Sequence, residues 1–134
     1  MGTSPSSATE AVLDASAVVR ALAYLQPDAR AWFGMRVAWP TLVYAEAGNA
    51  LRRLVRTRAI DVDDARRSLR TLLGAVAAVR PVETLVWPAW AVALERSLTV
   101  YDACYVVMAE TLGVPLVTAD RRLAEATANA VLLG

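Results

Sequence analysis

The run from Leu98 to Leu123, LTVYDACYVVMAETLGVPLVTADRRL, constrains the fold more than any other part of the chain. An apolar helical stretch opens near Asp102 and ends at Gly113 and Pro115, a glycine-then-proline stop. The short β-rich run PLVT follows, then Asp120, then a second helix. Helix, tight turn, buried strand and helix in so few residues describe an α/β unit. In an open parallel sheet, ligands bind outside the carboxyl ends of the strands. Asp120 falls just after a strand, and Asp102 can reach the same edge from its helix start.

The remaining segments extend this pattern. AVLD, Ala11 to Asp14, reads as a buried strand ending in an acid, and Ser16 as the cap of a helix running to Tyr24. Gln26-Pro27-Asp28 is a turn, and Ala29 to Phe33 a short helix. Met35 to Pro40 reads as a second strand. Thr41 is the expected cap of a long helix, TLVYAEAGNALRRLVRTR, in which Tyr44, Ala47, Leu51, Leu54 and Val55 share a face. Glu46 flanks that face, with Asn49 and Arg53 beside it at i+3 and i+7. Asp61 caps a helix expected from Val62 to about Ala78. Arg80 to Leu85 reads as a third strand, Pro81 marking it as an edge. Trp87 to Leu94 reads as helix, and Ala130 to Leu133 as a last strand. Strands alternating with helices predict a three-layer α/β/α sandwich on a mostly parallel central sheet. The expected organisation is a loose tail over residues 1–9, where Ser, Thr and Pro dominate, and one domain over residues 10–134.

Composition narrows the chemistry. The chain has 134 residues, one cysteine, no histidine and a net charge of +1, and all 14 of its basic residues are arginine. Cys-based zinc sites, intrachain disulfides and any mechanism needing His or Lys are thereby excluded. Cys104, in an apolar helix, reads as a core residue. Apolar residues make up 57% of the chain and mean hydropathy is +0.39. No segment approaches the roughly 18 apolar residues of a membrane span. The apolar excess therefore predicts a large core and an apolar surface covered by a partner or a second copy. The first residues have neither the basic region nor the apolar core of a signal peptide, and a cytoplasmic location is expected.

Asp14, Glu46, Asp102 and Asp120 come from four segments and can meet at one sheet edge. Singly, each has a structural role open to it: Asp102 and Asp120 as helix caps, Asp14 in a turn, Glu46 on a solvated helix. Together they present hard oxygen donors suited to Mg²⁺ or Mn²⁺. Two such ions about 4 Å apart activate water and stabilise a leaving oxygen without His or Lys. Asp61, Asp63, Asp64, Glu83, Glu95 and Glu110 read as surface or capping acids. A phosphoacceptor receiver domain or a haloacid-dehalogenase-like phosphatase would need a lysine. A dinucleotide-binding domain would need G-x-G-x-x-G where DASAVV stands.

Three stretches, VLDASAVV, PTLVYAEAGNALRR and LTVYDACYVVMAETLGVPLVTADRRL, resemble the PIN domain, and more narrowly the VapC-type ribonuclease toxins of bacterial toxin–antitoxin pairs. They occur in that family's order over nearly the whole chain. The resemblance maps the acidic cluster, as catalytic and metal-binding residues, onto Asp14, Glu46, Asp102 and Asp120. Ser16, Asn49 and Thr118 match supporting polar positions. It implies Mg²⁺- or Mn²⁺-dependent endoribonuclease activity, an RNA substrate, homodimers and a cognate antitoxin over the site. Arg20, Arg52, Arg53, Arg56, Arg121 and Arg122 can line an RNA path, with Arg53, Arg121 and Arg122 the nearest to the acids. The four tryptophans read as core or interface residues. The alternative is a PIN-like fold that binds RNA or protein without catalysis, and metal-dependent activity separates the two.

Overall fold

The computed structural model describes residues 8–134. In chain order the elements are β1 (Ala11–Leu13), α1 (Ala15–Leu22), α2 (Pro27–Phe33), β2 (Val37–Pro40), α3 (Leu42–Arg56) and α4 (Val62–Leu73). Then come β3 (Ala78–Arg80), a 3-10 turn (Val82–Thr84), α5 (Val86–Arg96), α6 (Val100–Leu112), β4 (Leu116–Thr118), α7 (Arg121–Glu125) and β5 (Ala130–Leu132). Every strand pairing is parallel, in the order β3-β2-β1-β4-β5. The three inner strands are buried throughout, as expected where helices cover both faces of a parallel sheet. α1 packs on α2 and α3, and α3 on α4; α5 and α6 pack together, and α6 also meets β1, β2 and β4. With right-handed crossovers these two helix groups lie on opposite faces, giving the expected three layers.

The strand order places the site. From β1 the chain steps outward to β2 and β3, then returns across the sheet to β4 and β5. β1 and β4 are neighbours, with Val12 opposite Leu116, and the connections leaving them diverge. A crevice opens between such strands at their carboxyl ends.

Several boundaries differ from the sequence expectation. β1 stops at Leu13 because Asp14, rather than Ser16, caps α1: its carboxylate accepts from the Ala17 N–H. Thr41 precedes α3 without a side-chain cap, since its Oγ1 instead accepts from the Val82 N–H at 2.9 Å. α4 ends at Gly74 rather than near Ala78. The alanines that follow favour helix by propensity, but Ala78–Arg80 are taken up by pairing with β2, so tertiary pairing overrides a weak local preference. The third strand thus ends where it was expected to begin. Pro81 cannot donate to a ladder, and the chain after it curls into the 3-10 turn. β3 is an edge strand, as Pro81 indicated. Asp102 does not cap α6: Thr99 does, accepting the Asp102 N–H at 3.1 Å.

Residues 1–7 of the expected tail lie outside the described residues. The Ala8 carbonyl accepts from Arg36 Nε at 2.9 Å. Cys104 is a core residue. Trp39 is fully buried, stacks with Phe33 and donates its Nε1–H to the Tyr44 hydroxyl at 3.2 Å. Trp87 and Trp90 stand on the surface of α5, 90% and 59% exposed. No described helix is long and apolar enough to cross a membrane.

Candidate active site

Four elements deliver the four acids to the crevice. Asp14 caps α1 immediately after β1, and Glu46 sits in the second turn of α3. Asp102 is the third residue of α6, and Asp120 caps α7 just after β4. All four line one cleft of about 230 Å³ together with Ser16, Asn49, Arg53 and Tyr105.

Asp14 is buried, and hydrogen bonds hold both of its oxygens. Oδ1 accepts from Ser16 Oγ at 2.6 Å and from the Ala17 N–H at 2.9 Å; Oδ2 accepts from Thr118 Oγ1 at 2.5 Å. Ser16 Oγ accepts in turn from the Ala119 N–H at 2.8 Å, and Thr118 Oγ1 from the Asp120 N–H at 3.0 Å. This network ties the end of β1 to the end of β4, so the position of Asp14 depends on side chains 102 and 104 residues apart in sequence from their partners. Asp120 is exposed, and its Oδ1 accepts from the Arg122 and Leu123 N–H groups at 2.9 and 3.3 Å. Its Oδ2 remains for a ligand.

Burial is the largest influence on the other three carboxyls and raises all of their pKa values. For Asp14, the bonds from Ser16, Thr118 and Ala17 work against that rise, while the charge of Asp102 adds to it. Glu46 is pushed up by burial, eased by the Tyr105 bond and pushed further by Asp102 and Asp14. Asp102 is pushed up by burial and by Asp120, while Thr99 and the charge of Arg122 oppose the rise. Like charges crowded in a half-dry cleft repel, which favours the neutral acid until a cation arrives. Among the described residues no arginine forms an ion pair with any of the four.

Tyr105 is a cleft residue that sequence reasoning missed. It is 1% exposed, and its hydroxyl donates to Glu46 Oε1 at 2.7 Å. The signal was available: Tyr105 lies three residues after Asp102, on the same helix face. Of the expected supporting residues, Ser16 and Thr118 belong to the Asp14 network, and Asn49 lines the cleft. Arg53 lines it too, and Arg122 acts on Asp102 through its charge. Arg121 is exposed and is not a lining residue of the cleft.

The donor set suits a hard divalent cation: carboxylate oxygens from several elements, with no competing positive charge paired to them. Among the described residues no three acids stand close enough to share one ion between them as placed. Mg²⁺ commonly takes only one or two protein carboxylates and keeps water in its other positions. The residues therefore fit such an ion without requiring a closed cage.

A profile of the PIN domain matches residues 11–129. The chain belongs to the PIN-domain family. Within that family its relatives are of the VapC type. Ribonuclease VapC1 of Mycobacterium tuberculosis is 39% identical over 122 residues, covering 87% of this chain and 90% of that protein. Ribonuclease VapC9 of the same species is 36% identical over 114 residues, covering 85% and 88%. The crystal structure of PAE2754 from Pyrobaculum aerophilum superposes with a TM-score of 0.72 at 35% identity, covering 92% of this chain and 83% of that one. VapBC2 from Rickettsia felis, solved bound to a promoter DNA fragment, shares the fold at a TM-score of 0.61 and 12% identity, covering 93% and 98%.

Proposed function

We propose that this PIN domain is a VapC-type toxin that hydrolyses RNA phosphodiester bonds internally, in the cytoplasm, with Mg²⁺ or Mn²⁺ bound by the carboxylates of Asp14, Glu46, Asp102 and Asp120, no more than two of them to any one ion. One observation carries the reading: four carboxylates without a paired cation line a single cleft at the carboxyl edge between β1 and β4. The VapC relatives named as ribonucleases support it. When bound, a divalent ion supplies water activation and charge neutralisation at the phosphate.

The chain's own groups do the positioning. Ser16, Thr118 and the Ala17 N–H hold the Asp14 carboxylate in one orientation and leave one acceptor site, on Oδ2, for a ligand. Tyr105 fixes Glu46 and leaves Oε2 available. Asp102 is free of capping duty and can serve the reaction alone. In the hydrolysis a water oxygen bonds to phosphorus as the bridging P–O bond breaks; the water gives up a proton and the departing ribose oxygen takes one up, leaving a phosphate monoester and a hydroxyl. Arg53, at the cleft margin, suits a flanking phosphate.

The same cleft suits a cognate antitoxin. An arginine from such a partner would meet crowded carboxylates bidentately and neutralise them. A homodimer is supported by the exposed face of α5, where Val86, Trp87, Trp90 and Ala91, with Glu83, line an apolar depression of about 740 Å³. Patches of that kind rarely stay bare on a monomer.

The test of the catalytic reading is direct. Purified protein is incubated with total cellular RNA and Mg²⁺ or Mn²⁺, and new ends are mapped. Discrete internal cuts that vanish in EDTA and in Asp102→Asn are expected; equal cutting in EDTA or in that variant would sink the reading. Metal-dependent cleavage also separates this function from a non-catalytic binding module.

A further inference from the structure

A second depression adjoins the acidic cleft, and its chemistry differs. It measures about 310 Å³ and shares Ser16, Ala50, Arg53 and Asp120 with the cleft. Beyond those residues its lining turns apolar, with Val19, Leu54 and Ala119, and it ends at Arg20 and Tyr24. A carboxylate-lined cleft thus opens into a groove without further acids. That division matches a nucleotide, whose phosphate is charged and whose base is a flat apolar face.

We propose that this groove seats the base adjoining the scissile phosphate of single-stranded RNA, stacked on the Tyr24 ring, with Arg53 on the phosphate at the junction. The inference rests on the nuclease reading above and adds the residue that grips the base. Tyr24 is 52% exposed, and no aromatic ring of the described residues stacks on it. The other aromatic residue lining either space, Tyr105, is buried and offers no face. The backbone that carries Tyr24 is also held in place. α1 ends just before it, the Gln26 N–H returns to the Arg20 carbonyl at 2.9 Å, and Leu25 takes a φ of 52°. A leucine in the left-handed region is unusual, and structures keep such strain where it fixes a geometry. Arg20 is pinned beside the ring by Gln26 Oε1 at 3.1 Å and the Gly134 carbonyl at 2.7 Å, both on one guanidinium nitrogen. Its other nitrogens make no hydrogen bond among the described residues, which leaves them for a backbone phosphate of the bound strand. Arg53, which lines both spaces, forms no ion pair among the described residues.

Stacking tolerates any base, so the groove would add affinity without choosing a sequence. The test uses the full chain carrying Asp102→Asn to prevent cutting, with Mg²⁺, and fluorescent single-stranded oligoribonucleotides spanning a mapped cleavage site. Adding Tyr24→Ala should weaken binding roughly 5- to 150-fold, the range for loss of one stacked base. Tyr24→Phe should keep the affinity, because the ring face remains. An abasic nucleotide walked along the RNA should weaken binding at one position beside the cut, and should cost nothing further there in Tyr24→Ala. Unchanged melting temperatures would show that the variants fold. Equal affinity for Tyr24→Ala and its parent would overturn the stacking site while leaving the nuclease reading intact. Equal loss in Tyr24→Phe would overturn it too, assigning the contact to the hydroxyl. If Tyr24→Ala binds RNA normally but releases a co-purified antitoxin, the groove belongs to a protein partner. Absence of both cleavage by the unmodified protein and any RNA binding would refute the nuclease reading and this site with it.

Discussion

Replacing Thr118 by valine should destabilise the protein in a way that depends on the ionisation of Asp14. Thr118 is fully buried at the end of β4. Its Oγ1 donates to Asp14 Oδ2 at 2.5 Å and accepts from the Asp120 N–H at 3.0 Å. Valine keeps the shape and the β-branched backbone preference, so packing changes little. What is lost is one hydrogen bond to a charged carboxylate, about 1.5–3 kcal/mol, and one to a backbone N–H, about 1 kcal/mol. The total is about 2.5–4 kcal/mol. For a chain of 134 residues, an unfolding entropy of about 2.1 cal/mol/K per residue converts each kcal/mol into roughly 3.5 °C, so Tm should fall by about 9–14 °C at neutral pH in EDTA. The pH dependence follows from the carboxyl. Burial raises the folded-state pKa of Asp14, and the Thr118 bond counteracts that rise; without it the pKa climbs further. The difference between wild type and variant is therefore complete above both folded pKa values and shrinks as pH falls through them, where the neutral acid needs the donor less. Melting curves by circular dichroism at pH 8 and at pH 4 measure it. An equal Tm loss at both pH values would refute the assignment of Thr118 to the charged form of Asp14.

Asp102→Asn should raise Tm in EDTA at neutral pH, because the folded pKa of Asp102 is raised and its charge costs stability above that pKa; the gain should disappear as pH falls below the ordinary aspartate range. The same variant should gain less than wild type from Mn²⁺, while Asp63→Asn, on the exposed first turn of α4, should respond fully; identical Mn²⁺ shifts in a thermal melt would count against a shared site. Glu110→Gln should remove the two-pronged contact with Arg96 that joins α6 to α5, at 2.8 and 3.0 Å. The loss should be on the order of 1 kcal/mol at pH 7; Glu110 has a lowered folded pKa, so this contribution fades as pH falls through it, and urea titrations at two pH values would show whether it does. If the proposed homodimer forms through α5, Trp87→Ser with Trp90→Ser should leave the fold intact and lower the sedimentation coefficient to that of a monomer; a dimer that persists in the double variant would count against α5 as the contact.

Sequence patterning alone determined the layers and the parallel sheet, because alternation of buried β-branched runs with amphipathic helices leaves few packings. It also placed Asp14 and Asp120 just after strands, Asp102 near a helix start and Glu46 within the helix that follows the second strand, and Gly113, at φ 68°, as the end of α6, since such signals are local. The segment after Gly74 was beyond its reach: an alanine-rich stretch prefers helix until β2 offers it a ladder. Caps were misassigned for a related reason. Ser16 and Thr41 both suit helix starts locally, yet the Ser16 hydroxyl donates to the neighbouring Asp14 and accepts from the Ala119 N–H, while the Thr41 hydroxyl accepts from the Val82 N–H; the Ala119 and Val82 partnerships exist only once strands and helices have docked. Asp102 was freed from capping by Thr99, three residues upstream, a choice between two good local caps that backbone geometry decides. The exposure of Trp87 and Trp90 against the burial of Trp39 could not be read from residue type, because a tryptophan's surroundings are set by which face of its element meets the sheet. The bond from Tyr105 to Glu46 joins α6 to α3 across 59 positions of sequence, a contact that only the closing of the two helix layers over one crevice creates.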